Sequence, residues 1–166
     1  MIIRNERQND RQVIRQIITD AFKTMPYSHQ TEVAIVDGLS AAGALTLSLV
    51  AVENDVVGHV AFSPVTIDGR TCDWYGIGPL AVRPDRQRKG VGQALMRTGL
   101  ERIRERDARG CVLVGDPAFY GRFGFTARPE LRLAGIPAEV FLALSFDGVF
   151  PSGAVQFHPA FDTEAS

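Results

Sequence analysis

The segment Leu80-Ala81-Val82-Arg83-Pro84-Asp85-Arg86-Gln87-Arg88-Lys89-Gly90-Val91-Gly92-Gln93-Ala94-Leu95 constrains the fold more than any other part of the chain. It opens as an apolar strand and passes into a basic turn. Two glycines then start an amphipathic helix. A strand that feeds a helix this way aims the helix's first N–H groups at whatever lies above the turn. Those groups lack intrahelical partners, and the helix dipole adds partial positive charge there. Phosphate is the natural occupant of such a site. Gly90 and Gly92 have no Cβ, so an anion can approach the main chain closely. Arg88 and Lys89 place full charges beside it.

Three kinds of phosphate loop can be told apart by spacing. A Walker A loop needs G-x-x-x-x-G-K-[ST], which is absent from this turn. A dinucleotide fingerprint needs G-x-G-x-x-G between strand and helix. Its nearest approach, Gly76-Ile77-Gly78-Pro79-Leu80-Ala81, falls inside the strand and contains proline. The pattern that is met is Q/R-x-x-G-x-G/A, by Gln87-Arg88-Lys89-Gly90-Val91-Gly92. A second motif follows one helix and one strand later: Gly115-Asp116-Pro117-Ala118-Phe119-Tyr120-Gly121-Arg122-Phe123-Gly124-Phe125. It has the form Y-x-x-x-G-F, a tyrosine on a short helix before a turn into a strand.

Together the two motifs resemble the GNAT superfamily of acyl-CoA-dependent N-acyltransferases. Gly-Pro-Leu-Ala-Val at 78–82, the second motif and Val155-Gln156-Phe157-His158-Pro159-Ala160-Phe161 resemble its bacterial YhbS-like branch. The resemblance spans nearly the whole chain. It implies an α+β (mixed α/β) fold with a central, mostly antiparallel twisted sheet flanked by helices. It implies acetyl-CoA as the acyl donor and an amine of a small molecule or peptide as the acceptor. It leaves the acceptor itself open, and it allows a homodimer.

Bulk properties agree with one N-acetyltransferase domain over residues 1–166. That length supports a single substantial core. A net charge of −1 provides no global field for nucleic acid or an anionic membrane. Two cysteines, Cys72 and Cys111, are too few for a disulfide framework or a structural zinc site. His29, His59 and His158 form no i, i+4 pair, so no metal is expected. No apolar run approaches the ~20 residues of a membrane span, and Met1–Arg7 lacks the core of a secretory signal. A cytoplasmic protein is expected.

Periodicity supplies the elements. Met1–Arg4 reads as a strand. A helix capped by Asn9 or Asp10 carries Val13, Ile14, Ile17, Ile18, Ala21 and Phe22 on one face. A second helix runs from Gln30 or Thr31 to Ala42, with Gly43 as its stop. Leu47–Glu53, Val56–Ile67 and Cys72–Val82 are strands, joined by turns at Asn54-Asp55 and Asp68-Gly69. Gly90–Ala108 is the central helix, stopped by Gly110. Val112–Val114 suits a strand buried on both faces. Pro117–Arg122 is a short helix, and Phe125–Ala127, Glu139–Asp147 and Ala154–Phe157 are further strands. Phe161–Ser166 reads as a frayed tail.

Gly76, Gly78 and Pro79 interrupt the third long strand, as a bulge or an edge kink would. On the family pattern this strand parts from its neighbour, and main-chain groups of Leu80, Ala81 and Val82 meet the pantetheine arm and the acyl carbonyl. Main-chain amides of Arg88, Lys89, Gly90, Val91, Gly92 and Gln93 would hold the pyrophosphate, with Gln87 bracing the loop. Tyr120 is the candidate general acid for the departing thiolate, or else a packing tyrosine. Asp116 stands where many relatives carry an asparagine that contacts the arm. For the base that deprotonates the amine, the candidates are Glu32, His59 and Asp73, with Glu32 on the helix that borders the acceptor groove. Glu32 could equally be a solvated first-turn carboxylate. Trp74 and Phe62 suit either an acceptor pocket or the core. A non-catalytic acyl-CoA-binding or sensing domain would share every donor-binding feature and differ at Tyr120.

Overall fold

Strand β1 (Ile2–Asn5) turns into helix α1 (Arg11–Phe22), whose Ile14, Ile17, Ile18 and Ala21 form the buried stripe that the spacing predicts. The structure, a computed structural model, describes residues 1–162. Within them, α2 (Glu32–Ala41) is followed by Gly43 at a φ of 66°, in the left-handed region that ends the helix. Strands β2 (Leu47–Glu53) and β3 (Asp55–Ile67) form a hairpin through Asn54 at φ 64°. Asp68 and Gly69, at φ 51° and 78°, turn β3 into β4 (Arg70–Val82). Then come α3 (Val91–Glu105), β5 (Gly110–Val114) and α4 (Pro117–Tyr120). Strands β6 (Thr126–Ala127), β7 (Leu131–Arg132), β8 (Phe141–Ser145) and β9 (Gly153–Gln156) complete the chain.

The sheet runs β1-β2-β3-β4-β5-β8-β6. Every neighbouring pair in that order is antiparallel except β4 and β5, which are parallel. Strand β9 extends the far end of β3 and pairs with β7. The α+β class and the mostly antiparallel sheet are therefore as the sequence predicts. Helix α3 covers one face, where Leu95, Met96 and Ile103 pack with Leu49, Phe62 and Leu113. Helices α1 and α2 cover the other, against Val50, Val56 and Ala81. A third cluster around Trp74, Phe141 and Val155 closes the far end of the sheet.

Some boundaries differ from the sequence reading, each for a local reason. The central helix ends at Glu105, and Asp107 rather than Gly110 takes the left-handed turn, at φ 63°. Gly110 instead begins β5, where a Cβ would lie 2.5 Å from the Trp74 ring and 2.6 Å from the Leu144 carbonyl oxygen. Strand β5 is buried only as far as Leu113; Val114 is 44% exposed because β4 has left its side. The run Glu139–Asp147 holds a tight turn before β8 begins at Phe141. Phe161 and Asp162, expected in a frayed tail, are ordered instead: Pro159–Asp162 form a helical turn, with the Phe161 ring centroid 5.0 Å from that of Phe157. Residues 163–166 lie outside the described residues.

Candidate functional site

Strands β4 and β5 share a ladder only at Trp74–Gly110, Tyr75–Cys111 and Gly76–Val112. Beyond Gly76 they diverge: β4 stays with β3, while Leu113 and Val114 of β5 pair with Leu142 and Phe141 of β8. Divergence coincides with an irregularity. Across Val60–Phe62 of β3, strand β4 spends one extra residue between Ile77 and Leu80. Gly78, at φ 141°, and the cis Gly78–Pro79 bond occupy that stretch. A bulge of this kind adds local twist and swings the strand away from its neighbour. The result is a V-shaped opening beside Ile77–Val82.

Backbone alternation decides which groups face the opening. The Arg83 N–H donates to the Val57 carbonyl on β3 at 2.8 Å. In a strand, successive residues turn their N–H and C=O to opposite sides. Arg83 and Ala81 therefore face β3, whereas Val82 and Leu80 face the opening. Two contacts agree: the Gln87 side-chain amide donates to the Val82 carbonyl at 3.0 Å, and the Ala81 carbonyl lies 3.3 Å from a Cβ placed on Gly58 of β3. The expected brace from Gln87 thus has a specific acceptor. Ala81 is a correction to the expected set. Its main chain is spent on β3 and its side chain is buried toward α1.

The loop after β4 leads onto the N-terminus of α3. Arg88 and Gly90 both adopt left-handed conformations, at φ 64° and 87°. Gly90 is the N-cap residue and has no side chain with which to cap this end of the helix. The first helical hydrogen bond runs from the Ala94 N–H to the Gly90 carbonyl at 3.1 Å. The amides of Val91, Gly92 and Gln93 precede it and find no intrahelical acceptor. A Cβ on Gly90 would meet nothing within 4 Å, so the space above the turn is open. Charge collects there unevenly. Asp85 holds Arg83 at 2.6 Å and Glu53 lies 3.6 Å from Arg86, while Arg88 and Lys89 are exposed.

These parts enclose a cavity of about 570 Å³, lined among others by Leu80, Val82, Gln87, Arg88, Gly90, Gly92 and Gln93. Its other wall is the α4 region, through Phe119 and Arg122. Asp116 caps α4, accepting the Ala118 N–H at 2.9 Å. Its carboxylate is therefore committed to the helix, a task that asparagine performs equally well. The Tyr120 ring meets Phe119 edge-on at 4.8 Å. It packs against Gly115 just after β5, where a Cβ would clash with the ring. Burial pushes the Tyr120 phenol up to about 12, with smaller contributions from Tyr27 and Asp116.

The candidate bases end up elsewhere. Glu32 lines a separate groove of about 880 Å³ between the outer side of α1 and the start of α2, with Gln12, Arg15 and Thr19. There the Ser28 hydroxyl donates to its carboxylate at 2.8 Å. Glu32 is not among the residues that line the cavity beside Phe119. Asp73 sits at the closed end of the V, beside the residues still paired with β5. Trp74 and Phe62 are both core residues, 3% and 0% exposed.

His59 lies under α1 in the middle of β3 and is wholly buried. The Ser48 hydroxyl donates to Glu6, so His59 Nε2 donates to Ser48 at 2.8 Å. Its Nδ1 is buried without a partner among the described residues. Desolvation with no compensating carboxylate lowers its pKa to about 4. The unfolded chain takes up this proton near the ordinary value of 6.5. Between those two values the unfolded state binds more protons, so stability falls as the pH drops through that window. We expect a loss of about 3 kcal/mol between pH 6.5 and 4 from this group. Urea unfolding of the protein and of His59→Gln at both pH values checks it: the loss shrinks in the variant.

Phe119, Arg122, Ala21 and Met25 also line the cavity, and the sequence reading did not single them out. Phe119 and Arg122 flank Tyr120 within the second motif, which was the available signal. Ala21 and Met25 belong to the end of α1 and the turn after it, which only the packing of α1 on the sheet brings alongside the loop.

Comparison with known proteins gives a consistent picture. Residues 45–127 match the family model described as an acetyltransferase (GNAT) domain. The chain is 34% identical over 153 residues to the uncharacterized Escherichia coli N-acetyltransferase YhbS; the match covers 86% of this chain and 90% of that protein. A GNAT family acetyltransferase from Brucella melitensis, solved in complex with acetyl-CoA, superposes with a TM-score of 0.88 at 49% identity, covering 97% of each chain. Crystalline Escherichia coli YhbS in complex with CoA gives a TM-score of 0.87 at 32% identity, covering 98% of this chain and 92% of that one. The splayed strands, the glycine-opened helix and these matches lead to one conclusion: the chain belongs to the GNAT family of acetyltransferases.

Proposed function

We propose that this protein transfers an acetyl group from acetyl-CoA to a primary amine on a small molecule or peptide, by direct attack within a ternary complex. The observation that carries the reading is the opening between β4 and β5, with the Leu80 and Val82 main chain turned into it beside the α3 amides. Acetyl-CoA supplies an activated acyl carbon and a thiolate leaving group. The amides of Val91, Gly92 and Gln93, with those of Arg88, Lys89 and Gly90 before them, hold its diphosphate. The Val82 N–H donates to the carbonyl oxygen as negative charge grows there. Tyr120 donates a hydrogen bond from its phenol to the departing sulfur, which later takes its proton from water.

Among the described residues, no carboxylate or imidazole lines the cavity. On this reading the incoming amine loses its proton to water before it attacks. A lysine-like amine has a pKa near ~10.4, so the rate should climb with pH through the neutral range and beyond. This same lack of a base favours a second reading, an acyl-CoA-binding or sensing domain without turnover. The test combines calorimetric titration with acetyl-CoA and a thiol-release assay across a panel of amines. Saturable binding with acceptor-dependent thiol release supports the enzyme. Saturable binding with none supports the sensor, and no saturable binding removes both.

A further inference from the structure

Among the described residues, three arginines line the cavity, Arg86, Arg88 and Arg122, and no acidic residue does. Arg86 has Glu53 at 3.6 Å. Arg88 stands in the loop beside the α3 amides, where a diphosphate would already be satisfied. Arg122 is on the opposite wall. It is exposed and forms no ion pair among the described residues. Its guanidinium carbon lies 4.9 Å from the centroid of the Phe119 ring. The edge of that ring would touch a Cβ on Gly92 at 3.5 Å. Phe119 thus bridges the guanidinium to the first turn of α3 and limits its freedom by stacking.

Coenzyme A has a third phosphate, on its ribose 3′-oxygen, one sugar away from the diphosphate. It carries close to two negative charges at neutral pH, as phosphate monoesters do. We propose that Arg122 holds this 3′-phosphate and makes the site select CoA thioesters over their 3′-dephospho forms. The inference rests on the acyl-CoA reading above and deepens it. A planar, stacked guanidinium offers two parallel donors to a phosphate, which suits arginine here.

Calorimetric titration with CoA and with 3′-dephospho-CoA tests the assignment. The unmodified protein should bind CoA about tenfold more tightly than the dephospho form. Arg122→Gln should bring the two affinities to within about twofold, through loss of CoA binding alone. Its unchanged affinity for 3′-dephospho-CoA reports that the site is intact. Arg88→Gln should weaken both ligands equally, and Arg97→Gln, whose side chain stacks on Phe123 outside the cavity lining, should alter neither. If discrimination persists in Arg122→Gln, or collapses in Arg88→Gln instead, this inference is overturned while the acyl-CoA reading stands. If neither ligand binds the unmodified protein, the acyl-CoA reading fails and takes this one with it.

Discussion

Tyr120→Phe should lower the turnover number for acetyl transfer about a hundredfold and leave CoA affinity within about twofold. The substitution removes one O–H group and keeps the ring. Packing against Phe119 at 4.8 Å and against Gly115 is preserved, so the donor site keeps its shape. What disappears is a hydrogen bond to the sulfur as it becomes a thiolate. Burial sets the character of that bond. A phenol pushed up to about 12 keeps its proton at any working pH. A thiolate of ordinary thiol basicity, near ~8.5, does not take that proton outright. Tyr120 therefore acts by donating a strong hydrogen bond to developing charge, and the thiolate is free to take its proton from water afterwards. Consequently Tyr120 should impose no alkaline limb on the rate below about pH 11. The measurement is a pH–rate profile of both proteins with an accepted amine, paired with calorimetry on CoA. Equal turnover in the two proteins would remove Tyr120 from the mechanism.

Phe62→Ala should destabilise the fold by about 3–5 kcal/mol, a loss of roughly 10 °C or more in Tm for a chain of this size. Phe62 is wholly buried on β3 and is among the largest such side chains. It presses on the middle of α3, where a Cβ on Gly99 would come within 2.6 Å of the ring. Gly99 is thus glycine for space, not for conformation. Gly99→Ala alone should cost about 1–3 kcal/mol through overpacking, partly offset by about 1 kcal/mol of improved helix propensity. With Phe62 already truncated, the same Gly99→Ala change should stabilise the protein, because the clash is gone and the propensity gain remains. Urea unfolding of the four proteins closes a double-mutant cycle. A coupling of about 1–3 kcal/mol is expected, and strictly additive effects would refute the contact.

Particular residues show what could be read in advance. The α1 stripe, the hairpin at Asn54 and the α3 register all follow from local spacing, and all appear in the structure. So does the bulge at Gly78-Pro79, since proline has no N–H for the ladder and glycine in a strand often marks a bulge. The loop glycines were legible from the close approach that a missing Cβ allows; that Gly90 also holds a left-handed conformation came from the structure. Glu32 was not legible. Its place at the start of a helix was correct, but the side of α1 it faces depends on how the α1–α2 turn folds back. Gly110 was misread as a helix stop because its true constraint is the Trp74 ring, far away in sequence. Strand β7 was missed because it owes its existence to β9, not to its own two residues.

Sequence alone determined the order of elements, the amphipathic faces and the glycine-opened helix start, because each depends on interactions within a few residues of chain. Tertiary structure alone decided which main-chain groups of β4 face the opening and which wall carries Arg122. It also decided that no acidic side chain among the described residues lines the cavity. Those outcomes depend on where distant strands part and which helix lies across them, and such contacts are set by packing of the whole core, not by local preference.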